Sequence, residues 1–582
     1  MNGTALLPIR QNTSLVTFSI RVNGADLPQT ISVRSISVYR EVNRIPTARL
    51  FLADGDAATG QWNVSSGDLF VPGSEIEILA GYHREDELVF KGIVTKQAIR
   101  LRRQQLELDV ECKDNAVKMT LGRRSRLFQD KTDSDIAQEI LDEYGLAGEL
   151  AGTTLSHPKM IQYHSSDWDF LLSRLDANGL VCAVRDGVVD CLKPELTSEA
   201  EAILRLGTNL LAFEAEIDAR KQPQTVKALA WDSSGQEVAE AEAEDPGWGT
   251  PGNFAAADLA TAAGAEQLNL RHSGPLSADE LQQWADACLL RSRMAFVRGR
   301  AQVQGFAGAL PGMTIALEGL GDRFNGKAWI SGIRHELSRG SWLTDLQIGL
   351  SEQPHIENYP VQAPPAGMLL PAIQGLHTGV VTQLADDPDG EHRIKVKIPS
   401  IDASDEGVWA RVATLDAGDT RGSFFLPEID DEVLVGFLEN DPRYPVVLGM
   451  LHSSAKPAPL SASDDNHEKG YQSRSGIKLI FNDDKTTVTL ETPAGNTLLL
   501  DDDGGQIALS DQNGNKITLS SDGIVLESAK DLQLKASANI KLEAQAKLDA
   551  KAGAKLTAEG SAGLEATSSG VTTIKGSLVQ IN

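Results

Sequence analysis

From Leu532 to Ala566, apolar residues or glycine occupy every even position, and polar residues or glycine every odd one. Alternation without a slip is the signature of extended chain with one buried face. It overrides the helix propensity of so many Ala and Lys residues, because on a helix this alternation would scatter apolar side chains around every side. Leu532, Ile540, Leu548, Leu556 and Leu564 add a second repeat of eight residues. Eight residues are too few to coil back and bury their own face, and ordinary strands run only about 3–10 residues. The pattern therefore predicts three chains wound together, each giving one short strand per layer, with Leu and small Ala side chains on the axis. Closing the sheet around an axis also removes exposed strand edges.

Upstream, Ser475 to Ser528 repeats apolar pairs: Ile477/Leu479, Val488/Leu490, Leu498/Leu500, Ile507/Leu509, Ile517/Leu519 and Ile524/Leu526. Turn residues separate them, among them Asn482-Asp483, Gly495-Asn496, Gly504-Gly505, Asn513-Gly514 and Asp522-Gly523. One continuous β-prism or β-helix from about Gly476 to the end is expected. After Gly576 the register changes, and Ser577, Leu578, Val579, Gln580, Ile581 and Asn582 turn apolar residues outward or end the layer. Either a separate cap protein docks on this tip, using exposed strands as a template, or the end closes on itself.

Gly367 to Ser453 holds short alternating runs broken by Asp, Gly and Pro, which suits a five-stranded barrel of the oligonucleotide/oligosaccharide-binding (OB) type. Residues 1–365 are mostly alternating β-structure with two capped helices. One covers 133–145; the other starts at Ser166, runs through the stripe Phe170, Leu171, Leu172, Leu175, and ends at Gly179. Asp186-Gly187 between two apolar runs predicts a type I′ hairpin with Cys182 opposite Cys191. A cross-strand disulfide fits that register, and so do two free buried thiols in a reducing cytosol. The whole is mainly β, in domains 1–365, 366–454 and 476–582, with 455–475 as a linker.

Length and charge narrow the partners. A chain of 582 residues exceeds one hydrophobic core. Its net charge of −27, tripled in a trimer, repels phosphate backbones and argues against nucleic acid. Met1 to Ile20 has no basic segment leading into an apolar run, and no stretch approaches the ~18 apolar residues of a membrane helix. Synthesis in the cytoplasm without a signal peptide or transmembrane segment is expected.

At Asp387-Pro388-Asp389-Gly390 with His392 to Pro399, at Val408 to Val412, at Phe425 to Phe437 and at Asp441 to Gly449, the chain resembles the OB domain of the VgrG family of spike proteins. Gln162-Tyr163 and Ser166 to Leu175, followed by Asn178-Gly179-Leu180, resemble that family's hub helix. The resemblance implies hub β-barrels with a few helices, an OB-fold barrel and a trimeric intertwined β-helix needle. It also implies a place at the tip of a contractile injection system, which a type VI apparatus, an extracellular injector and a phage tail would share. The implied partners are an inner tube (Hcp-like) protein, baseplate proteins, a PAAR-like tip cap protein and effector or toxin cargo, with transient contact to a target membrane. Relatives keep enzymes either between barrel and needle or after the needle. Here 455–475 is too short for one and the chain stops at Asn582, so a structural, non-enzymatic role is expected.

The search for chemistry agrees. HExxH, GxSxG and GxxxxGK[ST] are missing from the sequence, and none of the four cysteines forms a CxxC. His335, His392 and His452 suit surface or barrel positions. Asp501-Asp502-Asp503 fits a solvated turn or an axial cation, and Asp511 to Asn515 fits a turn without the glutamate of a calcium loop. No cofactor or metal is expected. The alternative is a glycan-binding or glycan-cleaving tailspike, which needs paired carboxylates and aromatic platforms. Phe481 is the one aromatic residue after Gly476.

Overall fold

The structure is a computed structural model that describes residues 15–102, 105–197 and 199–581. Residues 1–14, which carry most of the leader expectation, and Asn582 of the candidate tip lie outside them. The chain forms two compact units, Met1–Ile373 with Glu439–Pro442, and Gln374–Leu438 with Arg443–Asn582.

The first unit is built on one 13-stranded sheet. Its strands come from distant parts of the chain: Val33–Glu41 pairs antiparallel with Gly326–Ser338, placing Val38 opposite His335. Two apolar clusters line the sheet. One is centred on Leu50, Ile76, Phe90 and Leu108, the other on Leu204, Phe296, Ile330 and Leu346. Strands such as Thr47–Ala53 bury every second residue, as the alternation requires.

Two helices sit on a third apolar cluster. Asp133–Glu143 starts from Thr132 in a reciprocal capping box with Asp135. Asp167–Ala177 starts from Ser166, whose side chain accepts from the Asp169 N–H. Gly179 follows its last turn at φ +65°, as a left-handed C-terminal stop needs. The two helices are locked together by a buried polar cluster. Asp133 accepts two bonds from Arg174, at 2.6 and 2.9 Å, and one from Asn178 at 2.8 Å, while His157 Nε2 lies 3.1 Å away. Burial alone would raise the Asp133 pKa, but these partners hold it below the usual carboxylate value.

The Asp186-Gly187 hairpin forms as expected, with φ +54° and +88° and Cys182 directly opposite Cys191. Both thiols are free and buried. The buried Arg40 reaches the Asp186 carboxylate at 2.8 Å, and Asp114 accepts from the Gly187 N–H at 2.9 Å. His335, expected at a surface or barrel position, is instead buried in the sheet, with Nδ1 2.8 Å from the Thr344 hydroxyl. The segment after the sheet is strapped down. Arg123 donates to the carbonyls of His164, Pro360, Val361 and Gln362, and His355 Nε2 lies 2.8 Å from Asp169.

In the second unit, strands His377–Gln383, Ile394–Lys397, Val408–Val412, Pro445–Met450 and Glu432–Phe437 close a barrel around Val381, Val396, Ala410, Val433 and Val447. The Asp-Pro-Asp-Gly segment is a turn knotted by one carboxylate. Asp387 accepts from the backbone of Asp389, Glu391 and Arg393, and the Arg393 guanidinium holds its pKa well below the ordinary range. Beyond the barrel, seven strands from Glu468 to Glu527 make an antiparallel meander. Its first strand, Glu468–Gln472, lies inside the stretch expected to be a linker.

Two outcomes test this packing. Burial, with Arg40 nearby, lowers the His335 pKa to about 3. Between there and the ordinary value of about 6.5 the unfolded chain binds a proton that the folded chain refuses, so stability falls as pH drops. Urea unfolding should show ~2 kcal/mol less stability at pH 5 than at pH 7.5 from this site, and His335→Gln should remove that difference. Asp133→Ala leaves the partly buried Arg174 without its carboxylate and should cost ~2 kcal/mol in the same measurement.

Candidate assembly interface

The meander is the place where the chain exposes what it should bury. Its strands are five residues long and joined by tight turns, several with glycine in the left-handed region, such as Gly495 at φ +88° and Gly514 at φ +87°. Residues two and four of each strand face one side. Registered pairing aligns them in two rows. One runs Tyr471, Leu479, Leu490, Leu498, Leu509, Ile517, Leu526; the other runs Phe481, Val488, Leu500, Ile507, Leu519, Ile524. The middle residues face the other side and are mixed: Ile480, Thr489, Leu499, Ala508, Thr518 and Val525.

The two-row face is uncovered in the single chain. Leu498 and Ile517 are 37% exposed, Leu509 50% and Ile524 71%. Fully burying a side chain of this type stabilises by roughly 2 kcal/mol, so the face holds a large unspent driving force for association. Its composition matches the expected apolar pairs with one correction. Ile477 precedes the strand Lys478–Asn482, and Leu479 shares the apolar face of that strand with Phe481 instead, opposite Leu490 and Val488. At the head of the first row, Tyr471 stacks on Phe425 with ring centroids 5.7 Å apart. Phe425 itself, with Leu415 and Phe424, stays largely exposed on a loop of the barrel.

Residues 528–581 have no strand partner among the described residues, and all of them are exposed. The chain runs extended and bends at 537–538, 545–546, 553–554, 561–562 and 569–570, one bend every eight residues. Leu532, Ile540, Leu548, Leu556 and Leu564 are each more than half exposed. An isolated extended chain with a leucine or isoleucine every eight residues has no internal reason to hold this shape. Identical neighbours supply one, because each chain's apolar row then faces two others.

The candidate tip residues lie at the end of this segment. Leu578 and Ile581 are above 80% exposed, Val579 about half, and Ser577 and Gln580 are exposed beside them. Asp501 spends its carboxylate within its own turn, accepting from the Gly504 N–H at 2.7 Å. Among the described residues no group of three or more His, Cys, Asp or Glu side chains is placed to hold a metal ion.

Three family models match the chain. One described as Alg8 N-terminal domain covers residues 12–339; one described as type VI secretion system/phage-baseplate injector OB domain covers 377–452; one described as phage baseplate V C-terminal trimerisation domain covers 487–547. The type VI secretion system spike protein VgrG1b of Pseudomonas aeruginosa is 31% identical over 124 residues, covering 20% of this chain and 17% of that protein. VgrG5 of the same organism is 36% identical over 103 residues, covering 16% and 13%. The similarity thus spans less than a fifth of these curated relatives. Among solved structures, an E. coli type VI secretion component, the c3393 protein, aligns at 14% identity and TM-score 0.37, covering 74% of this chain and 99% of that one. A chain of the Francisella PdpA–VgrG complex aligns at 11% identity and TM-score 0.38, covering 89% and 81%.

Light scattering of the purified chain should give about three times the 62.5 kDa of one copy. Leu509→Asp places a charge in the middle of the apolar face and should return the mass to that of one or two chains, whereas Lys485→Asp in a turn should leave it unchanged.

Proposed function

We propose that the chain, which belongs to the family described as Alg8 N-terminal domain, matched over more than half its length, is a spike protein of the VgrG type and that three copies form the tip of a contractile injection machine. The observation that carries this reading is the exposed two-row apolar face, continued by an exposed octad segment, of which residues 487–547 are matched by a trimerisation domain. In this reading residues 1–365 form a hub ring seated on an inner tube of the Hcp kind and held by baseplate proteins. Residues 366–454 are the OB collar, and the needle starts with the strand Glu468–Gln472, which shortens the expected linker 455–475 to 455–467.

The mechanical logic follows from the bonding. Three meanders facing an axis bury their apolar rows and leave turns and polar residues outside. Edges closed by neighbours resist both unfolding and stray pairing. A rod of this kind transmits an axial push because yielding requires many short strands to part together. At the far end, Leu578, Val579 and Ile581 are the surface on which a PAAR-like cap would seat, and effectors would ride with it across a target membrane that the needle meets only in passing. The chain acts here as a structural element, made in the cytoplasm and carried out by firing. No helix among the described residues is long and apolar enough to cross a membrane. A glycan-processing spike finds no support in the needle, where Phe481 belongs to the apolar row.

Gold-labelled antibody against residues 532–581 should mark one end of tube-and-sheath particles isolated from the producing cell. Label spread along the sheath, or a chain recovered only free of particles, would overturn the assignment.

A further inference from the structure

We propose that Cys182 and Cys191 are a redox-controlled staple, two thiols in a reducing compartment and one disulfide in an oxidising one. Closed, it fixes the spacing between the two attachments of its hairpin, one to the loop at Asn43 and one to residues 147–151. The inference does not depend on the trimeric reading above.

The hairpin supplies the geometry. Cys182 stands directly opposite Cys191, three pairs back from the turn. Backbone bonding shows which kind of pair this is. The Cys182 N–H donates outward to Asn43 Oδ1 at 2.8 Å, and its carbonyl accepts from the Asn43 N–H at 2.7 Å. The Cys191 N–H donates to the Glu149 carbonyl at 2.8 Å, and its carbonyl accepts from the Ala151 N–H at 2.7 Å. All four groups are spent on segments that flank the hairpin, which makes this a non-hydrogen-bonded antiparallel pair. In such a pair opposed Cα atoms stand about 4.5 Å apart and the side chains are closest. That separation lies within the roughly 4.4–6.8 Å that a disulfide bridges. The thiols meet: the hydrogen bond with Cys191, ahead of burial, raises the Cys182 pKa. The other two cysteines have no such partner. Cys112 lies between Ala48 and Val94 in the large sheet, and Cys288 is on the helix Ala278–Met294.

Position gives the bond its effect. Both side chains belong to the apolar cluster of the two capped helices, with Ile140, Leu171 and Leu172. Asn43 follows the sheet strand Val33–Glu41, and residues 147–151 follow the helix Asp133–Glu143. The hairpin is hydrogen-bonded to the first along one strand and to the second along the other. A bond across it therefore stiffens the link between sheet and helices.

Burial sets the rate. The thiolate is the reacting form, and the raised pKa keeps Cys182 protonated in the closed hairpin. Reaction goes through openings of the hairpin end, which Arg40 on Asp186 and Asp114 on the Gly187 N–H hold shut. With hydrogen peroxide as oxidant, one sulfur attacks an oxygen, the O–O bond breaks, and water leaves behind a sulfenic acid. The second sulfur attacks the first. The S–S bond forms, the S–O bond breaks and a second water leaves. Two electrons pass from the sulfurs to the peroxide, and both thiol protons end in water.

To test this, the full chain is purified with reductant, exposed to hydrogen peroxide, trapped with iodoacetamide and digested with trypsin without reduction. Cleavage after Arg185 separates the two cysteines. The disulfide is then read as the peptide ending at Arg185 linked to the one starting at Asp186, about 2 Da lighter than their sum. Dithiothreitol should release them. Cys112→Ala combined with Cys288→Ala should leave the link in place, and Cys182→Ala should abolish it. If Cys182→Ala does not fold, the wild-type peptide map decides by itself. In the linked form the Cys182 and Ala151 amides should exchange about tenfold more slowly than in the reduced form. Separate peptides with both cysteines alkylated or singly oxidised, a link from Cys182 to another cysteine, or equal exchange in the two forms overturns the inference.

Discussion

An apolar surface that one chain cannot bury governs the C-terminal unit. The two rows from Leu479 to Leu526 and from Phe481 to Ile524 lie on strands only five residues long, in a single-layer sheet that leaves them partly exposed among the described residues. Single-layer sheets are not stable in water with an open apolar face, because the conformational entropy lost in ordering each residue is offset only when the face is removed from solvent. The octad segment carries the same demand further, since its extended chain makes no ladder of its own. In the proposed trimer, folding of the meander and octad segment would be linked to assembly and so to the concentration of chains.

The first unit meets the opposite problem and solves it internally. Its sheet has two well-filled cores, and its inserted helices are anchored by buried polar contacts. Asp133 with Arg174 and Asn178, Arg40 with Asp186, and Asp176 with Arg291 and the His355 N–H each join segments far apart in the chain. Such pairs add little net stability compared with apolar replacements, but breaking one leaves a charge stranded in a poor dielectric. They hold distant segments of the unit in one arrangement.

The two kinds of cohesion divide the labour. Internal packing makes a unit that holds its shape in each copy, while shared packing makes a rod that exists only among copies. The barrel has its own small core of valines and one carboxylate, Asp387, that knots its first turn. Its exposed Phe425, stacked on Tyr471 at the head of the apolar row, ties the collar to the start of the meander within the same unit.

Much of this was legible in the sequence, because the features are local and periodic. The octad leucines, the paired apolar positions from Val488 to Leu526, the Asp186-Gly187 turn that sets Cys182 against Cys191, the capped helix at 133–145 and the helix start at Ser166 all follow from spacing and from residue-specific backbone preferences. The resemblance to VgrG spikes rested on motifs in the barrel and the hub helix. Other features had no local signal. The strand Glu468–Gln472 hides because its one large apolar residue is Tyr471, and alternation needs more than one. Phe481 rather than Ile477 shares its strand with Leu479 because strand register is chosen by the neighbour, not by the residue. The pairing of Val33–Glu41 with Gly326–Ser338 and the burial of His335 were decided by tertiary structure alone. Each depends on which distant groups meet. The sequence by itself determined that strands of this length and period must exist and must share a core; only the folded chain decided which strands are neighbours and which face stays open for another copy.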